Sequence, residues 1–306
     1  GDSFSAERRP LVINIYTAGV FVGIGLANML SGVIVAATTS AEGLILPLTG
    51  RISGWQLAFL CVALPAIIVL ALLRRVNEPQ RYSAMRSYAG ASGAETLAYV
   101  RKDWFVFTSL TIGAVLSGAG LFAVFAWVPT VFSRNYGWSG LAIGLTFGLI
   151  TIVFATAGLV MSGRYAAQFA ERSRTLMYQR LMMLAVACAI IPGAFTMTAD
   201  TALGAWACYA GVIFFLVMPV GLVQTAILAI TPNGMRARLV ATYLAALNIV
   251  GMGLGPVAVA FITDFVMRDP NAMDQAIGLV IVASGVASVL LLALGVKQYE
   301  EMGRDR

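Results

Sequence analysis

The chain has 306 residues, 59% hydrophobic and 11% charged, with a formal net charge of +6 and no histidine. A soluble globular domain carries about 25% charged residues, so this composition excludes a soluble fold and predicts an all-α polytopic membrane protein. Without imidazole the chain lacks the commonest general base, metal ligand and near-neutral proton switch; no cofactor, metal or nucleic-acid partner is implied, and the lipid bilayer is the first partner expected.

Gly1-Asp2-Ser3-Phe4 opens the chain without a basic leader, which reads as a start inside a loop. Crossing the hydrocarbon core takes about 20 mostly apolar residues. Eight stretches satisfy this: 11–37, 55–73, 104–132, 141–161, 176–197, 202–230, 239–265 and 276–296. Trp55, Trp104, Tyr136 and Trp138 lie at their edges, where amphipathic rings favour the headgroup region. Cys61, Cys188 and Cys208 all fall inside apolar runs, which supports neither a disulfide framework nor a metal cluster. Of the 20 Lys and Arg residues, only Arg51, Arg134 and Arg268 fall in the loops of one side. The positive-inside rule makes the other side cytoplasmic, with both termini of the chain. The polar segment 74–103, rich in Arg, Ser, Gly and Ala, reads as a linker between bundles. Its part 94–102 fits either a solvated linker or a short surface helix near anionic lipid.

One stretch occurs twice. Arg8-Arg9-Pro10-Leu11-Val12 leads into a run reaching Val22-Gly23-Ile24-Gly25-Leu26, and Arg236-Ala237-Arg238-Leu239-Val240 leads into one reaching Val250-Gly251-Met252-Gly253-Leu254. The positioned arginines and paired glycines match without a gap, as in transporters built from two repeated halves. The second copy is followed by one span, and so is the first before the linker; four spans stand between linker and second copy. By symmetry four spans are expected to precede the first copy. The organisation read from this is 1–73 as the last two helices of an N-terminal six-helix bundle, 74–103 as linker and 104–306 as a complete C-terminal six-helix bundle, the equivalent of helices five to twelve of twelve. Such a chain is not expected to transport by itself.

Two bundles joined by a basic linker resemble the major facilitator superfamily of secondary transporters, and the local text looks most like its Spinster-like branch. The residues that carry this are Asp2-Ser3-Phe4, Glu7-Arg8-Arg9, Ile15-Tyr16-Thr17-Ala18-Gly19, Gly54-Trp55-Gln56-Leu57-Ala58-Phe59, Leu64-Pro65 and Asn77-Glu78-Pro79-Gln80-Arg81. Trp127-Val128-Pro129-Thr130 with Arg134-Asn135-Tyr136-Gly137 is similar to the family's seventh helix; Asn248, Gly253-Leu254-Gly255-Pro256 and Thr263-Asp264 are similar to its eleventh. Two departures stand out. After Met161 the superfamily pattern carries Gly and then Asp four positions on, whereas Gly163 is followed by Ala167. The Gly-Pro pair that antiporters often carry in the fifth helix is replaced by Ala27-Asn28.

Small residues four apart let helix backbones approach closely: Gly19/Gly23, Gly113/Ser117, Gly144/Gly148 and Gly251/Gly255. Together with Gly25, Pro219 and Pro256 they are either static packing or the smooth faces and hinges of alternating access. Polar residues at membrane depth cost free energy unless partnered or wet. Asn14 lies near the start of the first span; the substrate-cavity candidates are Tyr16, Asn28, Trp127, Gln224, Thr225 and Asn248, with an interhelical hydrogen bond as the plainer role for the polar ones and core packing for Trp127. Asn248, Gly251 and Gly255 fall on one stripe at ideal helical spacing. Arg8, Arg9, Arg236 and Arg238 read as topology anchors and helix-end partners. All 14 acids fall in loops or at span ends, Asp264 closest to the membrane, so a coupling carboxylate is expected outside these spans.

The reading is a secondary active transporter of a small organic or lipid-like amphipathic solute, working by alternating access in the cell membrane. The resemblance implies lysolipids or related amphiphiles, coupled to a proton. A drug-efflux or organic-anion carrier of the same superfamily is the alternative; anion carriage predicts a buried Arg or Lys, and these spans offer none. A membrane-embedded transferase needs clustered acids or a His or Cys nucleophile, and the pattern holds none, so no enzymatic activity is expected.

Overall fold

The computed structural model describes residues 9–39, 44–46, 50–52, 54–74, 91–170 and 176–304. α1 (Arg9–Thr39) is followed by a hairpin of two short strands, β1 (Leu44–Leu46) and β2 (Gly50–Ile52), paired antiparallel with Leu44 opposite Ile52. Everything else regular among the described residues is helical: α2 (Gly54–Leu73), α3 (Gly93–Lys102), α4 (Trp104–Asn135), α5 (Gly140–Ile150), α6 (Thr156–Ala170), α7 (Leu176–Phe195), α8 (Ala202–Leu216), α9 (Met218–Ile230), α10 (Arg236–Ala246), α11 (Met252–Phe261) and α12 (Met273–Arg304). Several of these are halves of one rod. α5 and α6 join through a π-helical turn at Thr151–Ala155, and α10 and α11 through another at Leu247–Gly251; a third, Ile262–Met267, extends α11. Among the described residues, seven helical stretches are long and apolar enough to cross a membrane. The remaining expected span, α2, is a 20-residue helix without a charged side chain.

α4 is the axial helix, and glycines bring its neighbours close. Gly113 and Gly120 seat α12 through Leu292 and Ile281, and the Ser288 hydroxyl donates to the Gly113 carbonyl at 2.6 Å. Gly251 and Gly255 seat the α10–α11 rod on the Val115 and Ala119 carbonyls of α4. The core runs along this axis in two stacked halves. One is aromatic, around Phe132, Trp206 and Tyr209; the other, around Leu110, Leu222, Tyr243 and Tyr299, lies toward the Arg-rich end. α1 packs on α5, α6 and α9, and α2 packs on α1. The described side chains of α2, among them Phe59, Leu64 and Ile67, are exposed.

The π turns have a sequence cause. Leu239, Tyr243, Leu247, Gly251, Gly255, Val259 and Thr263 are all buried, at a strict spacing of four. An ideal α-helix turns about 100° per residue, so six steps of four drift by about 240°. Widening the turn at Leu247–Gly251 to the π form takes up part of that drift and keeps the stripe on α4. The α5–α6 rod repeats the device: Ile143, Phe147, Thr151, Ala155, Leu159 and Gly163 are buried at the same spacing.

Of the two readings of 94–102, the structure has the short helix, α3. Ser92 caps it with a complete capping box, its side chain accepting from the Glu95 amide and the Glu95 carboxylate accepting from the Ser92 amide. Thr96 is buried, and the Tyr99 hydroxyl donates to the Ile230 carbonyl at 2.5 Å. Ile230 ends α9, where carbonyls lack intrahelical donors; a residue 131 positions away supplies one. Arg238 donates to the Ala91 carbonyl and, at 3.3 Å, to the Thr96 hydroxyl, while Arg236 Nε donates to the Thr231 carbonyl at 2.9 Å. Tyr99→Phe is therefore expected to lower stability by about 1 kcal/mol, read as a fall in melting temperature in detergent; an unchanged midpoint would show that the tie carries no load.

Candidate functional site

The crossing of α1 with the α5–α6 rod joins the part before residue 74 to the part after residue 103. At its middle and far end the two backbones approach closely. A Cβ added at Gly25 would lie 2.6 Å from the Gly148 carbonyl, and one at Gly144 would lie 2.6 Å from the Asn28 carbonyl and 2.8 Å from Gly32 Cα. Gly148 is closed by the Met29 side chain and the Gly25 carbonyl, and Gly25 also by the Ile152 side chain. Four glycines on two helices thus bring the backbones close: at Gly32 and Gly144 backbone lies on backbone, while Ile152 and Met29 fill the spaces left at Gly25 and Gly148.

At the Arg-rich end of the same crossing sits Asn14. Its side chain is fully buried in an apolar span, where an amide needs a partner, and Ser162 Oγ lies 3.2 Å from its Oδ1. The pocket that takes it is made by absent side chains. A Cβ at Gly163 would lie 2.9 Å from Asn14 Cβ, and one at Gly221 would lie 2.7 Å from Asn14 Cγ. Gly221 follows a helix break: α8 ends at Leu216, Val217 caps it, and Pro219 opens α9. Asn14 therefore bridges α1, α6 and α9. The spacing Ser162-Gly163 and the Pro219-Gly221 pair were both visible in the sequence; their convergence on one amide was not.

The expected cavity residues are spread rather than gathered. Tyr16 is 79% exposed on α1, on the face that also carries Gly19 and Gly23, beside which there is open space. Asn28 is half-buried. Trp127 is half-buried and donates its indole N–H to the Pro256 carbonyl at 2.9 Å, tying α4 to α11. Gln224 and Thr225 donate to the Val220 and Gly221 carbonyls one turn back, Gln224 half-buried and Thr225 buried. Asn248 is exposed and donates to the Leu244 carbonyl at 2.7 Å. It does not share the stripe of Gly251 and Gly255, because the π turn at Leu247–Gly251 keeps position 247 on α4 and leaves its neighbour about 100° round the helix. Arg8 and the side chain of Arg9 lie outside the described residues.

Toward the end of α4 remote from α3 an aromatic cluster closes the bundle. Phe132 stacks on Trp206 with centroids 3.7 Å apart and on Tyr136 at 5.0 Å; Trp138 and Phe147 flank Trp206 at 5.9 and 6.0 Å. The Tyr136 hydroxyl donates to the Ala199 carbonyl at 2.9 Å. Burial, then the carboxylates of Asp274 and Asp200 and the Cys208 thiol, push the Tyr136 phenol above its ordinary pKa.

Residues 1–260 match the sequence profile of the Major Facilitator Superfamily. The chain belongs to that superfamily. Among solved structures it is similar to a bacterial homologue of the human lysosomal transporter Spinster in an inward-facing, unoccupied conformation, with a TM-score of 0.62 and 19% identity over 94% of this chain and 69% of that one. The same homologue in an inward-facing, occupied conformation gives 0.59 and 19%, over 94% and 68%. At this identity the likeness is one of fold, and the fold of this superfamily member is Spinster-like. No curated protein matches the chain.

Proposed function

We propose that this multi-pass superfamily member is a secondary active transporter of a small organic or lipid-like amphipathic solute, working by alternating access in the cell membrane. The observation that carries this is the glycine crossing of α1 with α5. It joins a helix of the part before the linker to one of the part after it, and the backbone-on-backbone contact of Gly32 with Gly144 lets the two parts rock against each other. In this reading the Arg-rich end, with α3 and Arg236, is cytoplasmic. The amphipathic substrate class follows from the exposed faces: Tyr16 stands among Ile15 and Val20, and Asn248 among Ile249 and Met252, isolated polar groups in apolar surroundings. Asn28 and Gln224 are the half-buried groups added to that site, and a proton is the proposed coupling ion.

The test is flux in proteoliposomes containing the intact protein. A fluorescent lysophospholipid is expected to move saturably and faster under an imposed pH gradient, and an organic anion of similar size is not. Asn248→Leu is expected to reduce that flux severalfold at unchanged abundance and melting temperature. Flux equal to that of empty vesicles would sink the reading; normal flux in the variant would remove Asn248 from the site.

A further inference from the structure

The depth of α3 is fixed by its contacts. Tyr99 reaches the carbonyl of Ile230, the last residue of one membrane span, and its ring meets Phe107, in the first turn of another, edge-on at 5.6 Å. Asp103 (φ −120°, ψ 37°) then bends the chain between α3 and α4, and Trp104, 59% exposed, begins the span. A helix held level with two span ends, beside an interfacial tryptophan, lies among lipid headgroups.

Its inner side is occupied by Thr96, Tyr99 and Val100, which pack on the bundle. What it leaves uncovered is Leu97, 52% exposed, one turn before Arg101, with Lys102 alongside, both cations exposed. Neither cation has an ion-pair partner among the described residues. Of the acids nearest in sequence, Glu95 is engaged in the Ser92 cap and Asp103 is half-buried at the bend. An apolar side chain that enters the acyl boundary, two exposed cations at phosphate depth and an indole at the interface match an anionic phospholipid.

We infer that the outer edge of α3, formed by Leu97, Arg101, Lys102 and Trp104, is a binding surface for anionic phospholipids of the leaflet on the Arg-rich side. The lipid's phosphate sits against Arg101 and Lys102 and its chains lie beside Leu97 and Trp104. This holds α3 on the membrane and, through Tyr99 and Arg238, steadies the end of α9 and the start of α10.

The experiment is tryptophan quenching by brominated lipid in the intact protein, with the Trp104 signal isolated by subtracting the Trp104→Phe variant. At equal mole fractions, brominated phosphatidylglycerol is expected to quench Trp104 about twofold more than brominated phosphatidylcholine. Arg101→Gln with Lys102→Gln should erase the difference, and Arg101→Lys with Lys102→Arg should keep it, each variant being checked for monodispersity and helix content. Equal quenching by the two lipids overturns the proposal. A preference that survives the double glutamine variant overturns the assignment to these cations. Loss of the preference on adding inorganic phosphate at constant ionic strength overturns the lipid in favour of a free-anion site.

Discussion

Gly144→Val is expected to abolish transport and to cost about 3 kcal/mol of stability, the upper part of the range for forcing atoms into a packed interior. The atoms in the way are the Asn28 carbonyl, Gly32 Cα and Gly32 N, at 2.6, 2.8 and 3.0 Å from an added Cβ. All are backbone, so no rotamer change relieves them and α1 itself must move away from α5. The control lies on the opposite face of α1. A Cβ at Gly19 or Gly23 meets nothing within 4 Å, and alanine in place of glycine inside a helix stabilises it by about 0.5–1 kcal/mol. Thermal unfolding and flux measured side by side decide the matter: equal behaviour of Gly144→Val and Gly23→Ala would show that the crossing is not a working contact.

The second large effect concerns a pair. Gly221→Ala alone is expected to destabilise by about 1–3 kcal/mol, because the new methyl would occupy the place of the Asn14 amide, which Gly163 backs on α6. In an Asn14→Ala background that space is free, and the same substitution should cost almost nothing. A double-mutant cycle on melting in detergent should return a coupling of about 1–2 kcal/mol. Additive single effects would mean that Asn14 is not seated against Gly221. Ser162 is a poorer probe, since its hydroxyl also lies 3.0 Å from the Leu159 carbonyl and keeps that bond without Asn14.

Much of the fold was legible because membrane spans are long and almost uniformly apolar. The stretch 202–230 coincides with Ala202–Ile230 in the structure, and 11–37 lies inside α1. The relation between helices was less legible. Pairs of small residues four apart included Gly19/Gly23, which pack against nothing among the described residues, while the tight crossing uses Gly25 and Gly32, seven apart, against Gly144 and Gly148. Spacing on one helix shows that a close approach is possible but not where the partner's glycines lie. An ideal period puts Asn248 on one stripe with Gly251 and Gly255, which the structure separates; the four-residue spacing of Leu239, Tyr243, Leu247, Gly251 and Gly255 in the sequence carries that correction. α3 was half legible. Ser92 and Glu95 spell a helix start, but nothing in the sequence joins Tyr99 to Ile230.

The π turns also bear on how this chain tolerates change in length. A π turn is what one inserted residue leaves in a helix whose two ends are held in place. In α5–α6 the ends are held by the glycine crossing on one side and Ser162-Gly163 on the other; in α10–α11 they are held by the Arg238 ties and by Trp127 on Pro256. The rods absorb the extra residue as a local bulge rather than as a rotation of everything beyond it. Removing exposed Ile249 would close such a bulge into an ordinary α turn and leave Gly251 and Gly255 near their places on α4, whereas a second deletion, with no bulge left to take it up, would carry them round by about 100°; the bulge sets how much change in length each rod can take.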